Sequence, residues 1–154
     1  QGKIPYRMDK RIREWCFGSF DGAYDGDLFM GLIPRIFNVD HVHQLSYAEL
    51  AEGLVEVDTA GWAEGWEKLS GRIKEGFEAI AKEMEEQGGG NALVVSHGMT
   101  IGTIVYLING MHPHGLDNGS VTILEYEDGQ FSVEVVGDRS YRELGREKME
   151  EIKN

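Results

Sequence analysis

The sequence predicts an α/β domain, a three-layer sandwich whose mixed, mostly parallel sheet is flanked by helices. Three features predict it. Residues 92–96 are apolar almost throughout, as expected of a strand covered on both faces. Apolar residues recur at steps of three and four through residues 59–87, the period of an amphipathic helix. Residues 120–126 and 131–136 alternate around Asp128-Gly129, the signal of a type I′ hairpin. The order loop, helix, strand, helix, hairpin, helix then asks helices and strands to cover each other's apolar faces.

The lead-in, residues 1–13, holds the one basic stretch, with Lys3, Arg7, Lys10, Arg11 and Arg13. It contains no β-run, so the sandwich is expected without its N-terminal strand. Residues 14–31 are rich in Gly, Asp and aromatics, lack a period and read as loop. Residues 28–57 predict one or two short helices, and residues 23–57 together read as a cap or insert near the pocket. The long helix follows, with Trp62, Trp66, Leu69, Ile73, Phe77, Ile80 and Met84 on its apolar stripe. Asp58 or Thr59 is its expected N-cap, Gly88-Gly89-Gly90 its stop, and both tryptophans are assigned to the core. Gly65, Gly71 and Gly76 each weaken such a helix by about 1 kcal/mol relative to Ala. Residues 99–109 are apolar nearly all round and predict a buried helix, stopped by Asn109-Gly110. In the hairpin, Phe131, Val133 and Val135 share one face, and a polar helix from about Ser140 to Ile152 follows it. No repeat or long linker divides residues 1–154, which read as a single domain and as the C-terminal part of an enzyme.

Composition narrows the function. A chain of 154 residues can bury one core. A net charge of −12 argues against nucleic acid and against an anionic membrane surface, and makes any phosphate pocket a local exception. Cys16 stands alone, which excludes an internal disulfide or a cysteine metal cluster and points to the reducing cytoplasm. No apolar run reaches the ~20 residues of a membrane span.

His97 is the first candidate for chemistry. Val94-Val95-Ser96-His97-Gly98 places an imidazole where a strand ends and a helix begins. Ligands of open α/β sheets bind at strand carboxyl ends, and helix N-termini bind anions. The amides of Gly98 and Met99 are therefore candidate donors to a phosphoryl oxygen, and Gly98 lets the backbone approach closely. Glu14 is second, because its aromatic neighbours Trp15, Phe17 and Phe20 would desolvate it and suit it to general-acid work. Ser96 has no Gly-x-Ser-x-Gly elbow around it. His41-x-His43 and His112-Pro113-His114 have the spacing of zinc ligands but no supporting motif. His41 and His43 are taken instead as specificity residues, and no metal or cofactor is predicted.

Four segments in one order resemble the histidine phosphatase superfamily, the phosphoglycerate mutase-like proteins. Glu14-x-x-x-Gly18-x-x-x-Gly22 resembles its acidic segment, and Ala63-Glu64-Gly65 followed by Arg72 resembles its Gly-Glu-Ser step. Val94 to Gly98 is similar to its second-histidine motif, and Asn118-Gly119-Ser120-Val121 to the opening of its last hairpin. The resemblance implies that Glu14 protonates the leaving oxygen, that His97 flanks the transferring phosphoryl group and that Gly98 offers a backbone donor. It also implies a phosphohistidine intermediate and no metal. The family's nucleophilic histidine lies in an Arg-His-Gly motif that does not occur in this sequence, and its later phosphate-binding arginine has no counterpart.

The expectation is thus a phosphomonoester hydrolase acting on a small phosphoester, with the 154 residues alone inactive. Self-association through the incomplete sheet is left open. The alternatives are a phosphoglycerate mutase-type phosphotransferase and a non-catalytic phosphoester- or protein-binding module. Mutases carry an Arg-His-Tyr-Gly type continuation after the acid and Asn-Ser-Leu-Arg after the second His-Gly. Here Trp15-Cys16-Phe17-Gly18 and Met99-Thr100-Ile101-Gly102 stand instead, which favours hydrolysis.

Overall fold

The computed structural model describes residues 6–24, 26–113 and 115–153. Lys3 of the basic lead-in and His114 of the second histidine pair lie outside the described residues. Besides short 3₁₀ turns and one π-helical segment, the described residues form five α-helices and one hairpin: α1 (Ile33–Phe37), α2 (Tyr47–Val57), α3 (Trp66–Glu86), α4 (Gly98–Asn109), β1 (Val121–Glu127), β2 (Gln130–Asp138) and α5 (Ser140–Lys153). None of these helices is long and apolar enough to cross a membrane.

The insert reading of residues 23–57 resolves into two helices preceded by a wide turn. Gly26–Leu32 coils as a π-helix. Leu28 and Ile33 are five positions apart and both are buried, a spacing that suits the π period and escapes a search for the α period. Helix α2 starts at a capping box, with the Glu49 N–H on Ser46 Oγ at 3.2 Å and the Ser46 N–H on Glu49 Oε2 at 2.8 Å. Its Leu50, Ala51 and Leu54 join Trp15, Ile33, Leu69, Ile73, Phe77 and Ile104 in one core cluster.

Helix α3 is present but begins at Trp66, seven residues after the expected cap at Thr59. Trp62 is 67% exposed on the preceding loop and not in the core. Asp58 is the cause, because its carboxylate holds the amides that a helix would have used. Its Oδ1 accepts from Ser19 and Ala60, and its Oδ2 from Trp62 and Ala63. These bonds, the Ala63 amide foremost, hold the Asp58 carboxyl well below the usual carboxylate range. Gly61 turns the chain at φ +72°, and the Glu52 carboxylate takes the Trp66 N–H at 2.8 Å.

The expected parallel sheet is not found. Among the described residues the only sheet is the antiparallel pair β1–β2. Residues 92–96 have no ladder partner, and Leu93 and Val95 are 92% and 84% exposed. Only Val94 packs against the core. A parallel ladder needs strands brought together by crossovers, and the described residues contain no second such strand. The hairpin needs only local contacts and forms as expected. Asp128 and Gly129 have φ of +51° and +80°, as a type I′ turn requires, and Tyr126 pairs with Phe131. Helix α4 ends at Gly110, φ +75°, whose N–H returns to the Tyr106 carbonyl.

Two glycines of α3 differ in surroundings. A Cβ at Gly76 would lie 2.8 Å from Ile12 Cγ2 and 3.0 Å from Arg11 Cβ, so this glycine makes room for the single helical turn Lys10–Ile12. A Cβ at Gly71 would meet nothing within 4 Å. Gly71→Ala is expected to stabilise the chain by about 0.5–1 kcal/mol through helix propensity, and Gly76→Ala to lose that gain and destabilise. Urea midpoints of the two variants check this, and equal stabilisation by both would contradict the packing.

Candidate active site

Residues 11–14 run from the end of the short helical turn Lys10–Ile12 into irregular chain, and four successive carbonyls there are each held by a side chain. Arg72 Nη1 donates to the carbonyls of Arg11 at 2.8 Å and Arg13 at 3.0 Å. Its Nη2 donates to the Glu14 carbonyl at 2.9 Å. The Ser96 hydroxyl donates to Ile12 O at 2.7 Å, and the Thr100 hydroxyl to Arg13 O at 2.7 Å. Ser96 is thereby a structural donor rather than half of a hydrolytic dyad.

The Glu14 carboxylate lies over the first turn of α4. Its Oε2 accepts from the Met99 N–H at 3.3 Å and its Oε1 from the Thr100 N–H at 3.1 Å. Thr100 Oγ1 stands 3.2 Å from the same Oε1. The structure thus joins the two segments that the sequence singled out, 85 positions apart. His97 is the N-cap residue of α4, in extended conformation, with its side chain exposed and not used for capping. Its carbonyl accepts the Ile101 N–H at 2.9 Å. Gly98 is exposed, with open space where a Cβ would stand. The Met99 amide, a candidate phosphate donor by sequence, is engaged by Glu14.

The Glu14-x-x-x-Gly18-x-x-x-Gly22 spacing has a physical basis. Gly18 takes φ +64°, and a Cβ there would overlap the Asp58 carboxylate. Gly22 takes φ +85° in open space, so only its backbone angle calls for glycine. Trp15 anchors the segment, 4% exposed, with its Nε1–H on Thr103 Oγ1 at 3.0 Å.

Beneath Glu14 lies a buried ion cluster. Glu64, 3% exposed, takes Arg72 through Nε at 2.9 Å and Nη2 at 2.6 Å, and Arg13 Nη2 at 2.6 Å. Burial works against ionisation of Glu64, but the Arg72 hydrogen bonds and the charges of Arg72 and Arg13 outweigh it and hold the carboxyl below its usual range. Tyr47 closes another side. Its ring lies over Gly102, where a Cβ would overlap the hydroxyl, and stacks 4.7 Å from His112. Its hydroxyl donates to Pro113 O at 3.3 Å. Burial, then the charge of Glu14, push this phenol up to about 12.

Sequence reasoning attached no role to Tyr47, Thr100 or Arg13. Thr100 could have been noticed as a polar residue on an otherwise apolar helix. Tyr47 carries no local signal. His41 and His43 stand exposed at the turn Val42–Gln44, which Gln44 Oε1 closes by accepting from the amides of Asp40 and His41. Among the described residues no three His, Cys, Asp or Glu side chains converge at metal-binding distance.

The Glu14 carboxylate and the N-cap residue His97 thus fall at the same helix N-terminus, and comparison with known proteins gives the family. The chain belongs to the histidine phosphatase superfamily (branch 1), whose model matches residues 1–139. It is similar to the crystal structure of phosphoglycerate mutase from Bacillus anthracis str. Sterne, with a TM-score of 0.86 and 34% identity. That match covers 94% of this chain and 65% of the mutase, so the chain spans just under two thirds of its length. No curated protein matches the chain significantly.

The cluster generates a pH prediction. A carboxyl whose pKa is lowered on folding adds stability that is present above its unfolded value and lost as pH falls through the folded value. Glu64→Gln should cost on the order of 3 kcal/mol near pH 7, since it leaves the buried Arg72 without its counter-charge, while the half-exposed Arg13 can turn to water. The gap from wild type should narrow below the ordinary glutamate range. Urea midpoints of both proteins from neutral to acid pH measure this, and a constant gap would show that Glu64 is not the titrating group.

Proposed function

We propose that this chain carries the acid and second-histidine half of a phosphomonoesterase site. Glu14 protonates the leaving oxygen, His97 and the Gly98 amide stabilise the phosphoryl oxygens, and the phosphate is carried transiently on another histidine. One observation supports this best: the Glu14 carboxylate rests on the amides that directly follow His97 and Gly98. The family's nucleophile motif, Arg-His-Gly, does not occur in the sequence, so the proposal assigns the nucleophile to a further segment of the parent protein. The residues after each motif favour release of phosphate over its return to the substrate. The substrate proposed is a small phosphoester in the cytoplasm, with His41 and His43 as specificity residues and with no role for nucleic acid or membrane. For the 154 residues by themselves the proposal includes self-association along the unpaired residues 92–96.

A second reading has its own support, since the similar structure is that of a mutase. Transfer between C2 and C3 of glycerate faster than phosphate release would establish it. The primary test follows phosphate release from an aryl phosphate, and orthovanadate binding by NMR. The 154 residues should show no His97-dependent turnover, while vanadate shifts the His97 ring and the Gly98 amide. Joined to a segment bearing Arg-His-Gly, the protein should turn over. His97→Ala should then lower kcat about 10²–10³-fold, and Glu14→Gln about 10²–10⁴-fold. His97-dependent turnover by the 154 residues would place the nucleophile among them. Absence of any vanadate response at Gly98 would instead favour a non-catalytic module.

A further inference from the structure

We propose that Arg72 is the positioning residue of this site: its guanidinium sets the main chain of Glu14, and the buried Glu64 orients the guanidinium. The proposal takes Glu14 as the acid, as above, and adds the group that places it.

The donor count carries the argument. Arginine has five N–H donors in a rigid plane, and here every one has an acceptor. Nε–H lies 3.1 Å and 2.9 Å from the two Glu64 oxygens. Nη1 serves the carbonyls of Arg11 and Arg13, and Nη2 the Glu14 carbonyl and Glu64 Oε2. The side chain is 10% exposed, so water cannot readily replace these partners. One rigid plane therefore fixes three carbonyls in a four-residue stretch that ends at the acid.

Glu64 supplies the orientation. Its carboxylate grips the Nε/Nη2 edge from one side, leaving the Nη1 edge and the second Nη2 hydrogen to face residues 11–14. Glu64 also takes Arg13 from the opposite flank. The residue before the acid is thereby held by its carbonyl and by its side chain. The remaining hydrogen bonds to the Glu14 carboxylate come from the neighbouring Trp15 N–H at 3.0 Å and, across the fold, from Thr100 and the amides of Met99 and Thr100 on α4. The acid thus sits between two helices that grip different atoms, α3 its main chain and α4 its carboxylate. A lysine at 72 would keep the charge opposite Glu64 but has three donors on one nitrogen, which cannot span three carbonyls and a carboxylate in a plane.

The test has a structural arm independent of turnover. The ¹H–¹⁵N shifts of Met99 and Thr100 report the carboxylate bonds, and Glu14→Gln defines the shift change on weakening them. Arg72→Met is expected to reproduce at least half of that change, and Arg72→Lys a smaller part, while the amides of Glu127–Gln130 in the hairpin stay unchanged as a folding control. If Arg72→Met loses the hairpin signals as well, Arg72→Lys decides. In the protein with turnover, Arg72→Lys should lower kcat about 10²-fold with KM within twofold, the loss expected of a displaced acid. In a Glu14→Gln background the same substitution should lower kcat less than twofold, which a merely structural role would not predict. Unchanged Met99 and Thr100 amides in a folded Arg72 variant would overturn the proposal, as would losses that simply multiply with Glu14→Gln. Absence of turnover in every protein would count against the phosphatase reading and leave the amide shifts to decide the role of Arg72.

Discussion

A single guanidinium with all its donors engaged ties helix α3 to a stretch of chain that belongs to no sheet. Buried main-chain carbonyls need partners, and an irregular segment cannot find them in a ladder. Here Arg72, Ser96 and Thr100 replace the ladder with side chains, carbonyl by carbonyl from Arg11 to Glu14. Removing Arg72 would leave the Arg11 and Glu14 carbonyls without these donors, at about 1–3 kcal/mol for each that stays buried and unpaired, while Arg13 O keeps the Thr100 hydroxyl. Arg72 holds three, so this one side chain joins α3 to the whole stretch that ends at Glu14.

The electrostatics follow from the same cluster. Two arginines lie under the acid in a chain of net charge −12, but Glu64 pairs with both and cancels much of their field. In the proposed phosphatase, attraction for a phosphate is assigned to the N-terminus of α4 and to His97, in line with the way helix N-termini hold anions. Glu14 already takes the Met99 and Thr100 amides, and Gly98 before them has open space where a Cβ would stand. Glycine at 98 suits that position because it leaves the approach clear.

Asp58 is a second organiser and shows how a polar residue can override a helical pattern. The stripe from Trp62 to Met84 has the right period, yet three amides of residues 59–63 drawn to one carboxylate keep that stretch as a loop, and the Ser19 amide ties it to the acidic segment. The Asp58 carboxylate itself lies against Gly18, which with the positive φ there is why the acidic segment carries glycine at that position.

Strong local signals were legible in the residues: the core stripe of α3 from Trp66 onward, the buried α4 with its Gly110 stop, the Asp128-Gly129 turn, and the pairing of an acid segment with a histidine at a helix start. Periodicity, glycine stops and turn angles are properties of neighbours in sequence, so they can be read there, whereas the start of α3 could not, because Asp58 draws the amides of the expected first turn into a loop. The parallel sheet was not legible in the same way, because an apolar run such as residues 92–96 states only that it wants partners, and partners are a matter of tertiary structure. The same holds for Arg72, Thr100 and Tyr47. Their importance lies in carbonyls and carboxylates up to 87 positions away, distances that only the packing of α3 against α4 brings within a hydrogen bond. The sequence by itself determined the helices, the hairpin and the candidate acid and histidine. The tertiary structure decided which donors hold that acid in place, because directional bonds between distant segments exist only once the core has closed.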